Sequence, residues 1–91
     1  MIKNFKDKHT EALYLGNFVK SFSGIERQAR KRLRILNQAR TLGDLAALPG
    51  NGLESLQGDR AGQYSIRIYD QWRVCFDWTD APEDVEIVDY H

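Results

Sequence analysis

The chain has 91 residues, enough for one small domain over 1–91 and not for two. Its 13 basic and 13 acidic side chains cancel, and the single cysteine, Cys75, excludes an internal disulfide and fits a reducing cytoplasm. The opening MIKNFKDKHTE lacks the apolar run of a signal peptide, and no stretch approaches the ~20 apolar residues that cross a bilayer. A cytoplasmic chain without membrane association is therefore expected.

The zero net charge hides a segregation. Lys20 to Arg40 holds seven basic residues and one acid, Glu26, whereas Asp77 to His91 holds six acids and no Lys or Arg. Such segregation gives a local positive field. A solvated basic helix face is the plainer reading of the first stretch.

In chain order, MIKNF reads as a short opening strand anchored by Ile2 and Phe5. TEALYLGNF carries Ala12, Leu13 and Leu15 near helical spacing, with Gly16 as a stop. Ser23 followed by Glu26 is a capping box, S-x-x-E, that opens a helix. Ile25, Ala29, Leu33 and Leu36 then recur at helical spacing as a buried stripe, and Arg27, Lys31 and Arg34 lie on another face. A second box, Thr41 to Asp44, opens a short helix that ends near Leu48 before Pro49. PGNG is a turn. LESLQG reads as a short strand and GDRAG as a loop. Two long strands follow, then a break at Ala81-Pro82 and a last strand, DVEIVDYH. Helices followed by consecutive antiparallel strands predict an α+β fold, with the helices on one face of a single, mainly antiparallel sheet.

The register of the hairpin SIRIYDQWRVCF follows from which side chains need burial. A two-residue loop at Asp70-Gln71 mixes both faces. A three-residue loop, YDQ, pairs Ile68 with Trp72 and gathers Tyr64, Ile66, Ile68, Trp72, Val74, Phe76 and Trp78 on one face. The other face then holds Ser65, Arg67, Arg73, Cys75 and Asp77, with Arg67 directly opposite Arg73. Like charges so placed repel. Internal carboxylates, from Asp77 or the last strand, could offset them. So could an external polyanion, because paired guanidiniums match phosphate geometry. Trp72 and Trp78 read as core, and Cys75 as a sheet residue without chemistry. The chain closes on Asp89, Tyr90 and His91. A terminal histidine is usually frayed, yet beside an arginine pair these three groups can move protons and hold phosphates.

LQGDRAGQYSIRIYDQWRVCF followed by a terminal VEIVDYH resembles the HigB toxins of the RelE/ParE superfamily of bacterial toxin–antitoxin systems, and the resemblance covers nearly the whole chain. It implies the RelE-like microbial RNase type of α+β fold and a toxin that cuts mRNA in the ribosomal A site and so inhibits translation. It also implies a HigA-like helix-turn-helix antitoxin. The family's DYH ending falls on Asp89, Tyr90 and His91, and its tryptophan–arginine pair on Trp72 and Arg73. Many members read L-H-x-L-K-G where this chain reads LESLQG, so Glu54 stands in place of a histidine and Gln57 in place of a lysine. Glu54 is then the alternative base.

Metal-free RNA cleavage needs a base for the ribose 2′-OH, an acid for the leaving 5′-oxygen, and matched charge on the phosphoryl oxygens. Arg73, helped by Arg67, is assigned to that charge. His91 and Asp89 are proton-transfer candidates with Glu54 behind them, and Tyr90 orients or stacks a base. Arg27, Lys31 and Arg34 are the candidate contacts to RNA or ribosome. The sequence has no zinc-ligand spacing, P-loop or dinucleotide fingerprint, so neither metal nor cofactor is expected. Nor does it hold a DNA-binding motif, so operator DNA is expected to be met only through the antitoxin. Two other classes stay open: a ParE-like toxin acting on a protein such as DNA gyrase, and a weakly active binding module that regulates transcription with its antitoxin.

Overall fold

A computed structural model describes residues 1–90. The helices are α1 (Lys8–Tyr14), α2 (Glu26–Gln38) and α3 (Leu42–Ala46), and the strands β1 (Glu54–Ser55), β2 (Tyr64–Tyr69), β3 (Trp72–Trp78) and β4 (Pro82–Asp89). Short 3-10 turns stand at Lys20–Phe22, Pro49–Asn51 and Gly58–Arg60. The strands form one antiparallel sheet in the order β1-β2-β3-β4. The architecture is α+β, as the pattern of elements predicts. None of the described helices is long and apolar enough to cross a membrane.

One face of the sheet and one stripe of α2 make the core. Ile25, Ala29, Leu33 and Leu36 are all buried, and they meet Ile66, Ile68, Val74, Phe76, Val85 and Ile87. Each buried Val, Leu, Ile or Phe among these contributes roughly 1.5–3 kcal/mol. Trp72 and Trp78 are half-buried and pack on this core, Trp72 edge-on to Phe22 with centroids 5.9 Å apart. The helix α1 docks on β4 through a polar contact inside the core: the buried Thr10 hydroxyl accepts the Ile87 N–H at 3.1 Å.

Several local expectations change. Residues 1–5 do not form a strand. Phe5 makes a single parallel bridge to Val85, flanked by hydrogen bonds from Lys3 N–H to Pro82 O and Lys6 N–H to Val85 O. Asp84, at φ 49°, twists β4 there, and its N–H turns to the Asn4 side chain, so regular pairing cannot run on. The Ser23–Glu26 box does not form. Glu26 accepts the Gly24 N–H at 2.6 Å rather than that of Ser23, the N-cap is Ile25, and no side chain caps the helix. Gly24 at φ 94° turns the chain so that α2 begins after Ile25. By contrast both halves of the Thr41–Asp44 box are present. The helix α1 has an N-cap that the sequence pattern does not flag, Asp7, which accepts the Thr10 N–H. Leu15 lies past that helix and is exposed. The last strand starts at Pro82, a position that proline tolerates as a first strand residue.

The hairpin register combines both loop readings. Arg67 pairs with Arg73, Ile66 with Val74 and Ser65 with Cys75, as the apolar pattern requires. At the tip, however, Tyr69 pairs with Trp72 and the loop is Asp70-Gln71. A bulge at Ile68 takes up the odd residue, and Asp70 supplies the left-handed φ of 52° that a tight loop needs. Ile68 stays buried, so the face assignment survives the change of loop.

Candidate functional site

The face of the sheet away from α2 carries the polar residues of β2 and β3, and Arg73 lies at its centre. The side chain is 15% exposed. Its Nε donates to the Ser65 hydroxyl at 2.6 Å, and Nη2 donates to the Gly52 carbonyl. Ser65 is itself fully buried. Two neutral acceptors therefore fix the plane of the guanidinium. Its Nη1 edge points toward Glu54, whose Oε1 is 3.8 Å away and whose side chain is mostly exposed. Glu54 reaches this point because β1 sets it beside Ser65 in the ladder.

Arg67 stands directly across from Arg73 and is exposed, with no salt bridge among the described residues. Of the acids expected to offset the pair, Asp77 and Glu86 are not placed to do so. Asp77 lies four residues along β3, roughly 13 Å away at strand rise. The last strand's Glu86 is engaged elsewhere: Arg60 Nη2 donates to its Oε1 at 3.0 Å, and Lys6 Nζ lies 3.2 Å from Oε2 as an ion-pair contact without hydrogen-bond alignment. This contact with Glu86 raises the Arg60 pKa above its ordinary value, against an opposing effect of burial. What stabilises Arg73 is Ser65, Gly52 and Glu54.

Tyr90 follows the end of β4 but is not a loose tail. Its N–H donates to the Gln71 carbonyl at 2.9 Å, and its hydroxyl lies 3.7 Å from the Cys75 Sγ. Burial pushes both the Tyr90 hydroxyl and the Cys75 thiol up in pKa, so at neutral pH both keep their protons. Cys75 is 1% exposed and serves as a floor under Tyr90. Strand alternation sets Asp89, paired with Trp72, on the face of Ile87, and Tyr90 on the other. Asp89 and Tyr90 thus fall on opposite faces of the strand, and His91 lies outside the described residues. Among the described residues no three His, Cys, Asp or Glu side chains gather as a metal-binding group.

Arg27, Lys31 and Arg34 are exposed on α2. Arg27 and Arg34 line an open groove of about 630 Å³ with Gly24, Glu26, Gln28 and Arg30. Arg30 is bound to the Leu13 and Asn17 carbonyls, both at 3.0 Å, and so shapes this groove from below. This basic face belongs to the helix layer and is separate from the arginine pair on the sheet. Strand alternation puts Ser65 on the arginine face from sequence, though not its role as the Nε acceptor, and sequence reasoning misses Gly52, Arg60 and Glu86 as neighbours of the site. Alternation along β4 could have put Glu86 on that face, but nothing local marks Gly52.

Arg73 is thus clamped on the sheet face away from α2, and Tyr90 packs on Cys75 on that same face. A family model described as the RelE-like toxin of type II toxin-antitoxin system HigB matches residues 3–91, and the chain belongs to that family. It is 38% identical over 83 residues to Toxin HigB-1 of Vibrio cholerae serotype O1, a match that spans 89% of this chain and 87% of that protein. The chain is accordingly a toxin of a type II system, which implies an antitoxin partner, and RelE-like toxins are generally endoribonucleases.

Proposed function

We propose that this toxin cleaves mRNA on the ribosome, in the A site, without a metal ion, and is held off by a small helix-turn-helix antitoxin that also supplies operator binding. The single observation behind this reading is the Arg73 guanidinium, fixed by Ser65 and Gly52 with its Nη1 edge toward the mostly exposed Glu54 on the sheet face away from α2. A donor preset in this way meets developing charge without reorganising. In the proposed step a base takes the ribose 2′-OH proton. The 2′-oxygen attacks phosphorus in line, the P–O5′ bond breaks, and an acid protonates the leaving 5′-oxygen. The products are a 2′,3′-cyclic phosphate and a 5′-hydroxyl. Arg73 and Arg67 meet the phosphoryl oxygens. Glu54 is the carboxylate nearest that charge, with Asp89 and His91 as the further proton-transfer groups. Tyr90 keeps its proton at neutral pH and can donate a hydrogen bond or stack on a base. Arg27, Lys31 and Arg34 contact ribosomal RNA. The toxin acts in the cytoplasm, where translation occurs.

Mapping the 5′ ends of cellular mRNA after induction tests this. Cuts within codons, abolished when translation is blocked and unaffected by chelators in the purified reaction, are expected. Intact mRNA accompanied by double-strand DNA breaks would move the activity to gyrase.

A further inference from the structure

Asn51 is fully buried although it stands in a surface turn. A buried amide is costly unless its polar groups are met. Here the Nδ2 donates to the Leu45 carbonyl at 3.1 Å, and the Oδ1 accepts from Arg32 Nη1 at 2.6 Å. The guanidinium of Arg32, on α2, also covers Gly50, where an added Cβ would come within 3.3 Å of Nη2. The turn is closed by Asn51 N–H to Leu48 O at 2.9 Å and Gly52 N–H to Pro49 O at 3.2 Å. Gly52 follows at φ 51°, ψ 49°, a left-handed conformation that glycine adopts without a steric penalty. It lies between the two arginines: a Cβ there would sit 3.7 Å from Arg67 Cβ and 3.9 Å from Arg73 Nη2.

We infer that Arg32 and Asn51 are positioning residues for Arg73. The pair holds the 49–52 turn, and the turn presents the Gly52 carbonyl that fixes the guanidinium plane. Ser65 holds Nε through its hydroxyl at 2.6 Å but reaches Nη2 only through its carbonyl at 3.5 Å, so the close restraint on the Nη side is the Gly52 carbonyl, and without it the Nη groups would loosen. A catalytic donor displaced by about 1 Å can cost on the order of 100-fold in rate. This inference rests on Arg73 meeting the scissile phosphate.

Three variants test it. Arg32→Met keeps the aliphatic stem and removes the donors. Arg32→Lys returns one charged donor. Gly50→Ala removes nothing but crowds the Arg32 guanidinium, whose flexible end can yield. Two readouts are taken on each. The first is the Arg73 Nε–H resonance in 15N NMR, identified by its loss in Arg73→Lys. The second is cleavage of mRNA on programmed ribosomes, resolved into kcat and KM. In Arg32→Met the resonance should shift and broaden, kcat should fall roughly 10- to 100-fold, and KM should stay within about twofold. Arg32→Lys should recover part of both losses, and Gly50→Ala should show a smaller change in the same direction. An unmoved resonance in folded Arg32→Met overturns the inference whatever the activity. A moved resonance with unchanged kcat overturns it as well. If Arg32→Met does not fold, the same two outcomes in Gly50→Ala overturn the inference in its place. Failure of the nuclease reading shows separately, as wild-type protein that leaves mRNA on programmed ribosomes intact, and failure of the Arg73 role as Arg73→Ala that still cuts at the normal rate.

Discussion

Arg67 and Arg73 face each other across the β2–β3 hairpin, and only Arg73 is tied down, by the Ser65 hydroxyl and the Gly52 carbonyl. Two like charges at this spacing destabilise a hairpin. The asymmetry shows how this fold tolerates them: one guanidinium is turned along the sheet toward neutral acceptors and Glu54, while the other stays in solvent. The polar face therefore keeps a concentrated positive charge with its donors directed.

From this follows the effect of Arg73→Ala. Loss of one preset donor to transition-state charge costs roughly 3–4 kcal/mol in rate terms, so cleavage and toxicity should disappear. Stability should fall by only about 1–2 kcal/mol, because lost hydrogen bonds to Ser65 and Gly52 are partly offset by relief from Arg67. Growth assays paired with thermal melts check both. A folded variant that arrests growth at wild-type levels would remove Arg73 from the chemistry.

The arginine pair is legible in the sequence because burial of Ile66, Val74 and Phe76 allows one register across most of the hairpin. The loop is not, because Asp70 at positive φ and a bulge at Ile68 satisfy the same burial with a different turn. Nor is the clamp on Arg73. Gly52 and Asn51 are far from it in sequence, and their role arises from a tertiary contact that no period or spacing encodes. The letters Asp89 and Tyr90 stand together in the sequence, yet strand alternation sets these two on opposite faces. The helix cap differs for a similar reason: the pattern S-x-x-E is present, but a glycine with φ 94° intervenes.

The basic face of α2 gives a salt-dependence prediction. Arg27, Lys31 and Arg34 are exposed, so reversing all three charges should change stability little. If each meets a phosphate, the slope of log affinity for ribosomes against log salt should fall by about two to three. Co-sedimentation across a salt series measures it. An unaltered slope would leave the face merely solvated.

Cys75 and Tyr90 set an alkaline limit. Burial raises both pKa values above their ordinary levels near 9.0 and 10.0. A group whose folded pKa is raised binds its proton more tightly when folded, so its contribution is complete below the unfolded value and lost as pH rises through the folded one. The Tm should therefore hold from neutral pH to about 9 and fall beyond it. In Cys75→Ala the fall should begin later, near the tyrosine range. A Tm profile identical in both proteins would show that the thiol does not contribute.

The end of the chain yields the sharpest separation of roles. Truncation after Asp89 would remove the Tyr90 N–H bond to Gln71 and uncover Cys75, so it would lower stability and activity together. Single substitutions part the two. Tyr90→Phe keeps the ring and the backbone bond, and should change the Tm little. A matching loss of cleavage would then belong to the hydroxyl. His91→Ala should leave the fold unchanged and, if the imidazole transfers a proton, slow cleavage by roughly 10²–10⁴-fold. Histidine titrates near neutrality, so the wild-type rate should bend there and the bend should vanish in His91→Ala. The measurement is single-turnover cleavage on programmed ribosomes across pH. Wild-type rates and an unchanged profile in His91→Ala would shift proton transfer to Glu54, the carboxylate already within 3.8 Å of the Arg73 guanidinium.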